Sequence, residues 1–197
     1  MAATPMTAAM VTAALEATAS KVRPKDADPF RKGDSVVYPA HGVGRIDRVG
    51  VEDIAGHKLN LIHISFDENR MTLRVPVAQA RAAGLRKLAS RKQLADALIR
   101  LTGRPRTSRL MWAKRAQDYL AKINSGELGV LAEVVRDLQA AADGSGSSFS
   151  QRNLFELALD RLAAEFAAIN HTSKIEAVEQ LLRTMADGRS CLGSAGE

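Results

Sequence analysis

From Phe30 the chain alternates apolar and polar residues at period two, with glycines between the runs. Val36-Val37-Tyr38 ends at Pro39, and Gly42 and Gly44 bracket an expected sharp bend before Arg45 to Val51. Gly56 marks the next turn. Ile62, Ile64 and Phe66 alternate with His63 and Ser65, and Asp67-Glu68-Asn69 turns the chain into Met71-Thr72-Leu73-Arg74-Val75. Met71, Leu73 and Val75 share one face there, so Thr72 and Arg74 face the other way. Four or five short strands in under about sixty residues predict a small, strongly bent antiparallel sheet or barrel.

After Leu88 the period becomes helical. Leu94, Leu98 and Leu101 stack at i, i+4, i+7, and Gly103 with Pro105 ends that helix. Ala116, Tyr119, Leu120 and Ile123 define a second helix, closed by Asn124-Ser125-Gly126. Leu128, Leu131, Val134, Val135 and Leu138 define a third. Residues 143–148 read as a flexible loop. Leu154, Phe155, Ala158, Leu162, Phe166 and Ile169 make a long fourth helix with Ser148 or Ser150 as N-cap. Ser173-Lys174-Ile175-Glu176 has capping-box spacing before Val178, Leu181, Leu182 and Met185. The fold class is therefore α+β, a small β-barrel followed by an all-α domain of about five helices. The expected units are a flexible tail (1–28), the barrel (29–87), the helical domain (88–188) and a loose C-terminal tail (189–197).

Charge sharpens this division. The 197 residues carry a net +6, and residues 88–125 alone hold nine basic residues against two acidic ones. Residues 29–87 hold ten against six, whereas 126–197 hold six against eleven. A basic face is thus local, densest over Arg100, Arg104, Arg106, Arg109, Lys114 and Arg115. It is compatible with a polyanion partner or with a merely solvated charge run, and the acidic C-terminal third argues against a protein that coats nucleic acid all over. The four histidines have no partner at metal-ligand spacing, and no Gly-x-x-x-x-Gly-Lys-Ser/Thr loop exists to hold a nucleotide phosphate. No cofactor and no enzymatic activity are expected. A single cysteine, Cys191, suits a reducing compartment, and no apolar run is long enough to span a bilayer.

Three stretches carry a resemblance. Phe30-Arg31-Lys32-Gly33-Asp34-Ser35-Val36-Val37-Tyr38-Pro39-Ala40-His41-Gly42-Val43-Gly44 resembles the opening of the CarD/CdnL family of bacterial transcription regulators. Ile64-Ser65-Phe66 through Met71-Thr72-Leu73-Arg74-Val75-Pro76 agrees with it. So does Met111-Trp112 through Ile123-Asn124-Ser125-Gly126-Glu127 and Ala132-Glu133-Val134-Val135-Arg136-Asp137-Leu138. The first part is also similar to the polymerase-interacting domain of transcription-repair coupling factors, whose helicase motors are missing here. The resemblance implies a Tudor-like barrel that docks on the lobe of the RNA polymerase β subunit. It also implies a helical domain that touches promoter DNA, at the minor groove and phosphates of the upstream bubble edge, and stabilises the open complex without reading sequence. Arg74, with Thr72 beside it, matches the polymerase contact, and Glu52 stands where some members carry a second basic contact residue. Trp112 matches the tryptophan that wedges into the minor groove, Lys114 and Arg115 match the basic pair after it, and Arg152 falls near a DNA-contacting lysine. Arg104, Arg106 and Arg109 are added as phosphate partners from the charge run.

Trp112 has two readings. Its spacing to Ala116 and Tyr119 admits it to the core stripe, while its place at a helix start ringed by cations fits a wedge that unstacks a base step. The expected protein is a cytoplasmic monomer associated with the nucleoid through RNA polymerase. The competing readings are a KOW- or Tudor-like RNA- or ribosome-binding module with a helical appendage, and a structural adaptor that never touches nucleic acid.

Overall fold

The computed structural model describes residues 30–54, 56–67, 70–106, 110–142 and 148–193, the side chains of 140–142 and 189–193 excepted. The N-terminal tail, the loop 143–147 and Arg109 lie outside the described residues.

Five antiparallel strands form one sheet: β1 (Ser35–Tyr38), β2 (Gly42–Ile54), β3 (His57–Phe66), β4 (Met71–Pro76) and β5 (Arg86–Lys87). Their order is β4-β3-β2-β1-β5, so the sheet is open and β4 and β5 are its edges. Period-two patterning sets the inner face, where Val36, Ile46, Ile62, Ile64, Phe66 and Val75 are buried together. Between Ile46 and Arg48 the β2–β3 register slips by one, and Arg48 comes to face His63. This bulge returns Arg48 to the outer side while Val49 packs against the inner cluster. The turn between β1 and β2 lies at Pro39–His41, ahead of the expected bend, and Gly44 is a strand residue. Its glycine is demanded by closeness, because a Cβ there would meet Ile64 Cγ2 at 2.7 Å and the Phe66 ring at 2.8 Å. A single-turn helix, α1 (Val77–Ala80), follows β4 and buries Ala80 against the sheet. Four residues are too few for a helical period to show in sequence.

The helical domain comprises α2 (Arg91–Leu101), α3 (Trp112–Ser125), α4 (Leu128–Ala142), α5 (Phe149–Asn170) and α6 (Lys174–Gly193). Capping chemistry starts three of them. Ser90 with Gln93 and Ser148 with Gln151 each form a reciprocal capping box. Ser173 and Glu176 exchange backbone N–H bonds at 3.1 and 3.2 Å. The expected apolar stripes are buried at Leu94, Leu101, Tyr119, Ile123, Leu131, Leu138, Leu162 and Leu181, whereas Leu120 and Leu182 are exposed. At the C-terminus, α6 runs to Gly193, five residues into the stretch expected to be a loose tail. Gly188 does not end it. One glycine costs a helix about 1 kcal/mol, and this one lies where a Cβ would meet the Thr102 Cβ at 2.7 Å.

The sheet and the helices meet at a polar seam. Arg86 of β5 grips Glu165 of α5 with two bonds of 2.6 and 2.7 Å, and its Nε donates to the Gly126 carbonyl at 2.8 Å. Glu165 is 1% exposed and also accepts the Ala89 N–H at 3.0 Å. Arg161 of α5 donates to the Pro39 carbonyl and, at 3.2 Å, to that of Ala40; burial holds its pKa below the usual guanidinium value. The side chains that donate here, Arg86 and Arg161, are both arginines, whose forked guanidinium satisfies several acceptors at once.

Candidate functional site

Two surfaces carry the candidate residues. The first is the β4 edge. Thr72 and Arg74 face outward, as expected, on a strand paired only with β3. The register sets Arg74 opposite His63 and His63 opposite Arg48, so three strands bring these side chains into one row. Glu52 lies among them: Arg48 donates to its Oε1, His63 Nε2 is 3.1 Å from the same oxygen, and Arg74 Nη1 is 3.6 Å from Oε2. His63 is 6% exposed, so it forms the floor beneath this exposed group. The acidic residue that departs from the basic pattern thus holds two arginines in place, and at 63% side-chain exposure Arg74 still faces solvent.

The second surface lies where the N-terminal ends of α3 and α5 meet. Trp112 is the first residue of α3, partly buried and packed against the helical core. Its indole N–H donates to Ser150 Oγ at 2.9 Å, and the Arg115 guanidinium carbon lies 5.5 Å from the ring centroid. Because Ser148 takes the cap of α5, Ser150 is left for the indole; the two hydroxyls stand 3.0 Å apart. The ring is therefore pinned at the surface, between the two positions the sequence leaves open. The Nε of Arg115 is buried and has no hydrogen-bond partner among the described residues, and the cation lies within reach of the ring face.

Lys114 on the first turn of α3 and Arg152 on the first turn of α5 are exposed. Arg104 and Arg106 are exposed on the connector after α2. That connector is held from below. Asp137 accepts the Arg106 backbone N–H at 2.9 Å and the Arg136 Nε at 2.8 Å, and Arg136 donates to the Arg100 carbonyl at 3.1 Å. Arg100 itself is spent on Glu133 at 2.7 Å. Among the described residues the charge run thus divides into Arg100 in an ion pair, Arg115 against the indole, and the solvent-facing Arg104, Arg106 and Lys114.

Two residues that adjoin the Trp112–Ser150 pair in sequence escape the apolar-periodicity reading. Met111 is 82% exposed and Phe149 is 76% exposed. Met111 occupies the N-cap of α3, where a side-chain hydrogen bond is absent. Phe149 follows the Ser148 cap at the start of α5. A methionine where Ser, Thr, Asn or Asp is favoured is a local violation visible in sequence.

Comparison with known proteins gives these surfaces a setting. The family model of the CarD-like/TRCF RID domain matches residues 30–89, and that of the CarD C-terminal domain matches residues 96–182. YdeB of Bacillus subtilis (strain 168), a candidate transcription factor by name, is 26% identical over 141 residues, covering 71% of this chain and 92% of its own length. The solution structure of the 72-residue N-terminal domain of Myxococcus xanthus CarD is 33% identical, covers 36% of this chain and 97% of its own, and superposes with a TM-score of 0.27. A sheet module and a helical module in this order define a two-part transcription regulator. The chain belongs to the CarD/CdnL family.

Proposed function

We propose that this protein is a non-catalytic regulator that docks on the lobe of the RNA polymerase β subunit through the β4 edge and holds promoter DNA at the upstream edge of the bubble, stabilising the open complex. Arg74 and Thr72 would meet polymerase, the strand edge offering backbone pairing and the arginine a charge. Arg104, Arg106, Arg109, Lys114, Arg115 and Arg152 would meet phosphates, and Trp112 the parted base step. One observation carries the reading: the sheet that bears the β4 edge and the helical domain that bears Trp112, with Arg115 against its ring, are joined by the Arg86–Glu165 seam. Binding at one surface then raises the effective concentration of the partner at the other.

No candidate cation lies on a helix patterned to read bases, so free duplex should bind weakly, with Kd on the order of 10⁻⁴–10⁻⁶ M. A reconstituted promoter-opening assay tests the proposal. Added protein should lengthen the open-complex half-life, and affinity capture should recover polymerase subunits. An unchanged half-life, or capture of ribosomal proteins instead, would sink it.

A further inference from the structure

We infer that Met111 and Phe149 form an apolar prow in front of Trp112, and that its ligand is nucleic acid with a parted base step. The inference rests on the proposed DNA contact and deepens it. The indole donates to Ser150 Oγ and packs in part on the core, so only part of its ring is open to a base. Met111, before Trp112, and Phe149, before Ser150, are the most exposed apolar side chains of these two segments. The Trp112–Ser150 bond fixes the two helix starts side by side and so brings the two exposed groups to one end of the domain.

Folding does not account for either residue. Met111 stands at the N-cap and leaves α3 without a side-chain cap, and Phe149 belongs to neither buried cluster. Methionine and phenylalanine are among the side chains that proteins insert between base steps to part them. Charge decides the occupant. The first turns of α3 and α5 hold Lys114, Arg115 and Arg152 and no acidic residue, so a phosphate-lined partner suits the patch better than a basic or purely apolar surface. A parted base step adds the flat apolar faces that the two side chains can meet. The cations attract paired and parted DNA alike, and equal affinity for two states shifts nothing. The prow would act only where a step is open, and with Trp112 it would supply the preference between the two states.

The test uses the full chain with a duplex containing a short preformed bubble and the same duplex fully paired, followed by fluorescence anisotropy at several salt concentrations. Wild type should favour the bubbled duplex. Met111→Ser with Phe149→Ser should reduce that preference by roughly fivefold or more, the lower end for a lost base stack. Its salt slope and melting temperature should stay unchanged. Lys114→Ala with Arg152→Ala should instead weaken both duplexes together and flatten the slope by about 0.9 per contact. Should the double variant melt early, Met111→Ser alone still decides the matter, because that side chain is almost wholly in solvent. A prow variant that keeps the full bubble preference overturns the inference while wild type still lengthens open complexes. A prow variant that keeps the preference but loses polymerase overturns it in favour of a protein-docking face. If wild type neither prefers the bubble nor lengthens open complexes, the functional reading itself falls.

Discussion

The outer face of the sheet and the α3–α5 end of the helical domain both expose arginines, but they hold them by opposite means. On the sheet, Glu52 sits among Arg48, His63 and Arg74 and neutralises part of the charge of the two arginines. At the helical end, Lys114 and Arg152 share their first turns with no acidic residue, and Arg115 lies against an indole. A compensated group favours a partner of fixed shape, because its arginine is already oriented and the remaining field is short-ranged. An uncompensated group favours a polyanion, whose released counterions supply the driving force. The two surfaces should therefore respond differently to mutation and to salt.

The largest expected effect breaks the seam between them. Arg86→Met would leave Glu165 buried and unpaired and should cost about 3–5 kcal/mol, read as a large fall in melting temperature. Adding Glu165→Leu to it should recover much of that loss, since an apolar pair can replace a buried ion pair. A double variant as unstable as the single one would show that the arginine's bonds to Gly126, rather than the buried charge, matter most.

Next comes Trp112. Because the ring is partly buried, Trp112→Ala should cost roughly 1–3 kcal/mol of stability, short of a fully buried tryptophan. It should also shorten open complexes by about five- to 150-fold if the ring stacks on a base. Trp112→Phe keeps a ring but loses the bond to Ser150, so it should restore stability further than lifetime. A lifetime that follows melting temperature across both variants would reduce Trp112 to a core residue.

Arg74 lies on the compensated side. Arg74→Gln should weaken β-subunit capture by roughly 1–3 kcal/mol and leave DNA binding and melting temperature nearly unchanged. Glutamine is preferred to glutamate here, because a second carboxylate beside Glu52 would disturb the sheet on its own account. If Arg74→Gln lowers DNA affinity and spares polymerase capture, the division of labour between the two surfaces is wrong.

The smallest effect concerns the other sheet edge. The Lys87 ammonium, 3.0 Å from the Asp34 carboxylate, hydrogen-bonds it and holds its pKa below the usual carboxylate value. That contribution is present above the unfolded pKa and is lost as pH falls through the lower folded one. For so exposed a pair, Asp34→Asn should change stability by about 0.5 kcal/mol or less at neutral pH. The difference between the two proteins should vanish on acid titration. A gap that widens in acid would mean another group dominates.

Much of this was legible in the chain. Met71-Thr72-Leu73-Arg74-Val75 shows in five residues that Arg74 faces away from the core, because strand side chains alternate whatever lies beyond them. Ser173 and Glu176 declare the start of α6, since a capping box closes within one turn. The clustering of cations over 100–115 is likewise a property of neighbours in sequence.

Other features required distant segments to meet. Trp112 and Ser150 are 38 residues apart, so no local pattern could show that the indole is pinned. Glu52 reads as a departure from a basic pattern, and only the β2 bulge and the three-strand register make it the residue that holds Arg74. Arg86 and Glu165 are single charges in two ordinary stretches until folding places one against the other in a buried seam. Local periodicity and capping depend on contacts a few residues away, which the chain carries wherever it folds. The partner of a buried or surface-pinned side chain depends on how the layers pack, and that is decided only when the sheet and helices close on each other.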